Sequence, residues 1–216
     1  MDTQTAKADA ESDVVGDVTG LILSGGRGSR MDNDDKGLQL LEGVPLVQHV
    51  LTRFKPQVKQ LVINANRNIA EYRLFGVPVW HDDMPNYAGP LAGLQAGLAR
   101  CETPYLATAP CDSPFLAPDL VERLMHALAA NHADLAFAVT GSDDGRGENE
   151  QRAHPVFALM RADLLPQLTA YLLAGGRKVS AWQATLKTAA VHFPDSRAFR
   201  NINSHGDLRA LEGANA

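Results

Sequence analysis

The chain has 216 residues, a net charge of −5 and a pI near 5.8. It is long enough to bury a core as one domain and too acidic for broad binding to nucleic acid or an anionic membrane. Cys101 and Cys111 are its only cysteines, which excludes a disulfide framework and a C-x-x-C metal pair; its seven histidines show no ligand spacing.

From the N-terminus, residues 1–18 hold five acids (Asp2, Asp9, Glu11, Asp13, Asp17) and no long apolar run. A disordered acidic tail is expected there, with neither a signal peptide nor a membrane span. No later segment approaches the roughly 20 apolar residues of a bilayer span. With reduced-looking cysteine usage, the expected compartment is the cytoplasm.

An apolar run at 21–23 predicts the first strand, entering a loop with Gly25, Gly26, Gly28, Arg27 and Arg30, followed by Lys36. Pro45 suits a helix first turn, and Leu46, Val47, Val50, Leu51 and Phe54 then share one face. Strands are predicted at 61–63 and 77–80, then a helix rich in small residues at 90–100. A strand at 105–109 precedes a helix at 118–130, and two more strands are read at 135–139 and 156–160. Between those two, residues 141–153 are rich in acids and glycines and read as a mobile, solvated loop. Helices follow at 162–174 and 179–186, separated by Gly175-Gly176 as a C-cap. A strand at 189–193 and a final helix capped by Ser204 and Asp207 complete the chain.

Alternating strands and helices without internal repeat or linker predict one α/β domain over 19–216, Rossmann-like, a mostly parallel sheet with helices on both faces. Ligands of such sheets bind outside the carboxyl ends of the strands. The glycine loop lies at one such end. Its backbone N–H groups can approach phosphate oxygens closely, and its cations can neutralise them, so a nucleotide triphosphate site is expected. Two commoner motifs fail on spacing. Met31 stands where a dinucleotide fingerprint needs its third glycine, and Lys36 is followed by Gly37, unlike a P-loop lysine.

Leu23-Ser24-Gly25-Gly26-Arg27-Gly28-Ser29-Arg30-Met31 resembles the loop of nucleotidyltransferases that activate sugars and cofactors, L-x-[AG]-G-x-x-x-R-M followed by a lysine. Further motifs follow in order. They are Asp35-Lys36-Gly37-Leu38, Asn64-Ala65-Asn66-Arg67, Asp82 before Gly89-Pro90-Leu91-Ala92-Gly93, Pro110-Cys111-Asp112-Ser113-Pro114, and Asn201-Ile202-Asn203-Ser204. From about residue 18 onward the chain resembles the molybdenum cofactor guanylyltransferases. The resemblance implies a nucleotide-diphospho-sugar transferase-like fold and transfer of GMP from GTP to molybdopterin. It also implies an accessory GTP-binding protein and molybdoenzyme chaperones as partners.

The chemistry asks for charge control rather than covalent catalysis. An acceptor phosphate is already largely ionised at pH 7, so no general base is required, and positioning two repelling anions is the main task. Arg30, Lys36 and Asp112 are the expected catalytic residues, with Asp112 holding Mg²⁺. The resemblance implies that Leu23, Ser24, Gly25, Lys36, Asn64, Asp82, Gly89, Pro90 and Asp112 bind the nucleotide. The resemblance implies that Asn201 and Asn203 lie on the pterin side, and Arg177, following a glycine pair, is expected to meet the acceptor phosphate. Asp32 replaces the family's usual glycine, and Asp34 and Asp35 add negative charge that is expected to face solvent. A cytidylyltransferase of the same fold and a non-catalytic nucleotide-binding module are the alternative readings.

Overall fold

The computed structural model describes residues 17–24, 35–84, 89–141 and 151–213. Its first strand, β1 (Val18–Leu23), is buried at every position. Side chains alternate across a strand, so Val18 and Ile22 enter one apolar cluster while Leu21 and Leu23 enter another. Burial on both faces is the condition of a central parallel strand covered by helices on each side.

The remaining elements, in order, are a short hairpin of β2 (Leu40–Leu41) and β3 (Val44–Pro45), α1 (Leu46–Phe54), β4 (Gln60–Asn64), α2 (Ile69–Arg73) and β5 (Val79–Trp80). Then come α3 (Pro90–Arg100), β6 (Tyr105–Pro110), α4 (Leu120–Ala130), β7 (Leu135–Gly141) and β8 (Gln151–Arg161). The chain closes with α5 (Leu165–Leu173), α6 (Val179–Gln183), β9 (Thr188–His192) and α7 (His205–Gly213). Seven strands form one sheet in the order β5-β4-β1-β6-β8-β7-β9. Among the described strands of that sheet, β8 alone is antiparallel to its neighbours.

The apolar stripes of α1 and α4, with Tyr72 of α2, cover one face; α3, α5 and α6 cover the other. Gly93 and Gly97 let α3 lie directly on the sheet. A Cβ at Gly97 would stand 2.5 Å from Leu21 Cδ2, and one at Gly93 would overlap Asn64 Oδ1. A third, smaller cluster of Leu41, Leu46, Ile202, Leu208 and Leu211 fastens α7 to the hairpin and the start of α1.

The elements largely follow the sequence expectations, with informative differences. β1 begins at Val18, fully buried and one residue inside the segment expected as tail; residues 1–16 lie outside the described residues. The expected 141–153 loop is narrower. Val139, Thr140 and Gly141 pair with Ala153, Arg152 and Gln151, because the antiparallel ladder continues past a bulge at Phe137/Ala138. Residues 142–150 lie outside the described residues. The β2–β3 hairpin and the five-residue α2 are too short to leave a periodic signal. Gly175, at φ 89°, ends α5 as expected, and Ser204 with Asp207 forms the expected reciprocal cap at α7. No helix among the described residues is long and apolar enough to cross a membrane.

Candidate active site

The carboxyl ends of β1, β4 and β6 are stitched together by backbone bonds. Ser24 N–H donates to Asn64 O at 2.8 Å, and Cys111 N–H donates to Leu23 O at 3.1 Å. Asp112, just beyond β6, is therefore held beside the carboxyl end of β1. The C-terminal segment joins it: Ile202 N–H donates to Asp112 O at 2.8 Å, and Ser113 Oγ donates to Asn201 Oδ1 at 3.0 Å. Lys36, on a 3-10 turn at Lys36–Leu38, reaches into this corner. Its Nζ donates to Asn203 Oδ1 at 2.6 Å and lies 3.4 Å from Asp112 Oδ2. Lys36, Asp112 and Asn203 are separated widely in sequence and meet only here.

Asp112 is the one charged residue in the buried class among those described, at 6% exposure. Burial pushes its carboxyl above the ordinary carboxylate range, and the nearby Lys36 ammonium opposes that rise. Oδ2 faces Lys36, while Oδ1 is buried without a protein partner. A buried, unpaired carboxylate oxygen is costly in a finished core, so its natural complement is a cation. Its neighbour Cys111 is a buried thiol whose pKa is raised by desolvation and by Asp112, which leaves it a packing residue.

Across the β1 end, Asn64 and Asp82 form a closed knot. Asn64 Nδ2 donates to Asp82 Oδ1 at 2.9 Å and to Trp80 O at 3.3 Å. Asn66 Nδ2 donates to Asp82 Oδ2 at 2.8 Å, and Asp82 N–H returns a bond to Asn66 Oδ1 at 2.9 Å. Asn64 is 2% exposed and Asp82 half-buried, so of these two it is Asp82 that the knot presents at the strand end. Gly89, at φ 76°, turns the chain into α3, and Pro90 occupies the first helical turn; both are exposed at that helix's positive end.

Residues 20–189 match the MobA-like NTP transferase domain. A molybdenum cofactor guanylyltransferase of Cupriavidus necator is 55% identical over 196 residues, covering 91% of this chain and 96% of that protein. The chain belongs to the molybdenum cofactor guanylyltransferase family. Two solved structures share its fold. Molybdopterin-guanine dinucleotide biosynthesis protein A from Archaeoglobus fulgidus has a TM-score of 0.69 at 23% identity, over 91% of this chain and 97% of that one. A 4-diphosphocytidyl-2C-methyl-D-erythritol synthase from Anaerococcus prevotii reaches 0.75 at 12% identity, over 95% of this chain and 98% of that one.

For a member of the guanylyltransferase family, the corner brings together Leu23, Ser24, Lys36, Asp112, Asn201 and Asn203, with Asn64, Asp82, Gly89 and Pro90 on its flank. Gly25 and Arg30 lie outside the described residues. Arg177 is not drawn in. Its guanidinium donates to Leu172 O at 2.9 Å and Gly176 O at 2.6 Å, capping the end of α5. Among the described residues no three His, Cys, Asp or Glu side chains converge on a metal position. A hard divalent ion that keeps several waters needs only one or two carboxylates plus phosphate oxygens, and Asp112 with its free Oδ1 fits that role.

Sequence reasoning missed two features. A cavity of about 1080 Å³ opens beside Asn201 and Asn203, lined also by Arg152, His154, Arg197 and Arg200. His154 stacks on Phe199 with centroids 5.0 Å apart, edge-on to Phe157. Only the folding of β8 against the 196–203 segment brings these residues together, so sequence spacing could not reveal them. The second is Asp35, expected to face solvent but turned inward onto Tyr72 and Asn68. The buried tyrosine hydroxyl needs an acceptor, and the carboxylate provides one.

Proposed function

We propose that this chain transfers GMP from GTP to the phosphate of molybdopterin, forming the guanine dinucleotide cofactor and releasing pyrophosphate. The observation that carries the reading is the single lysine reaching both Asp112 and Asn203. It joins the expected nucleotide side of the site to the expected acceptor side, where an in-line displacement must occur. In this reading Lys36 meets nucleotide phosphates and orients Asn203. The backbone around the β1 end cradles the triphosphate, and Asn201 and Asn203 open onto the cavity that receives the acceptor. Asp112 would hold Mg²⁺, which when bound supplies positive charge against the leaving pyrophosphate. Holding the two anions together at the strand edge lowers the entropy barrier to their encounter. A cytoplasmic location and docking to an accessory GTP-binding protein and molybdoenzyme chaperones belong to the same proposal.

The test is competition of equimolar GTP, CTP and ATP for molybdopterin, with product identified by mass. GTP should win by at least roughly tenfold in kcat/KM, since each unmatched base group leaves buried polar atoms unpaired. A preference for CTP moves the chain to a cytidylyl branch. Nucleotide binding without turnover, under Mg²⁺ and with acceptor present, would make it a binding module.

A further inference from the structure

Lys36 acts from a short turn, and a flexible lysine is only as well placed as the backbone beneath it. That backbone is held by three side-chain bonds, all to Asp35. Tyr72 Oη donates to Asp35 Oδ1 at 2.5 Å, Gly37 N–H donates to the same oxygen at 3.2 Å, and Asn68 Nδ2 donates to Oδ2 at 3.0 Å. Asp35 also caps the turn through its backbone carbonyl, which accepts from Leu38 N–H at 3.1 Å. Tyr72 itself is fully buried against the helical layer of α1 and α4. The turn is pressed onto it so closely that a Cβ at Gly37 would stand 2.5 Å from Tyr72 Oη and 3.2 Å from Cys111 Sγ. The lysine's turn is therefore clamped between a core tyrosine and the residue preceding Asp112.

We propose that Tyr72, acting through Asp35, is a positioning residue for Lys36. It fixes the turn so that the ammonium stands between Asp112 and Asn203. The inference rests on the reading of Lys36 as a phosphate-binding cation. Tyr72 is fully buried behind Asp35 and presents no surface to a ligand. Its hydroxyl sets direction, and the packing of its ring supplies rigidity. Asn68, in the left-handed region at φ 50°, completes the hold from the exposed side.

Tyr72→Phe keeps the ring and removes only the hydroxyl. The experiment measures affinity for GTP and for guanosine by calorimetry, on wild type, Tyr72→Phe, Lys36→Ala and the double variant. Tyr72→Phe should weaken GTP by roughly three- to tenfold and leave guanosine unchanged, because only GTP carries the charges the ammonium meets. With Lys36→Ala already present, removing the hydroxyl should change nothing further, since there is no ammonium left to aim. Equal losses for GTP and guanosine, or an undiminished loss in the double variant, would show a general packing role and overturn the proposal. Lys36→Ala binding GTP as wild type does would instead refute the phosphate reading, and the positioning role with it. Should Tyr72→Phe fold poorly, Asn68→Gly removes the second hold at an exposed site without straining its backbone. It should reproduce the selective loss for GTP, and an unchanged GTP affinity would count against the clamp.

Discussion

Replacing Asp112 with Asn preserves shape and removes charge, and it should move stability and turnover in opposite directions. Asp112 is buried at 6% exposure, its Oδ1 has no protein partner, and Lys36 stands 3.4 Å from Oδ2. Burial raises its pKa, so at neutral pH the ionised form weighs against the folded state. An unsatisfied buried polar group costs about 1–3 kcal/mol, and more when charged. Asp112→Asn without metal should accordingly be as stable as wild type or up to about 1 kcal/mol more stable, a rise of roughly 2–4 °C in Tm for a chain of this size. Turnover should fall by roughly 10²–10³, or about 2.7–4 kcal/mol of transition-state stabilisation. Paired thermal melts in chelator and Mg²⁺-dependent initial rates measure both. Near-normal turnover would remove Asp112 from the chemistry. A Tm several degrees below wild type would mean that its contact with Lys36 is a structural bond and that the desolvation argument has the wrong sign.

His154 should make the fold acid-sensitive. Its pKa is pushed down to about 4, by burial and then by Arg152, whereas an unfolded histidine titrates near 6.5. Its contribution is thus complete above pH 6.5 and lost as pH falls towards 4, about 1–2 kcal/mol after allowing for screening of a half-buried ring; urea melts of His154→Gln should lose that part of the pH 5–7 slope, and an unchanged slope would refute it. Gly93→Ala should lower stability by about 1–3 kcal/mol and weaken GTP, because the new methyl overlaps the Asn64 amide that holds Asp82; GTP affinity at the wild-type value would show that the knot does not serve the nucleotide. Asn201→Ala should raise the acceptor KM and leave GTP affinity intact, and the reverse pattern would place it on the nucleotide side. Arg177→Ala should lower stability by about 0.5–1.5 kcal/mol through loss of its two cap bonds, with the acceptor KM unchanged; a raised KM would put its guanidinium at the acceptor.

Local chemistry alone was enough to read much of this molecule from its residues. Apolar runs bounded by turn residues mark the central strands, and the stripe of Leu46, Val47, Val50, Leu51 and Phe54 marks a helix, because burial imposes periods of two and 3.6. The Ser204–Asp207 cap and the Gly175 terminus follow from the needs of unpaired backbone groups at helix ends. Asp112 was legible as a charged residue just past a strand end, where an α/β sheet gathers its ligands, and Lys36 as a cation following the first strand's glycine-rich segment. Tertiary structure decided what those residues touch. Asp35 turns inward because a core tyrosine from α2 needs an acceptor, a demand made 37 residues away. Asn203 reaches Lys36 across 167 residues because the C-terminal segment pairs its backbone with Asp112. Arg177 is a helix cap rather than part of that corner because α5 ends on the sheet's other side and leaves its carbonyls within reach. Periodicity records which face of an element is buried, but it carries no information about which distant element covers that face. Contacts between strand ends and loops are therefore invisible until the sheet order is known.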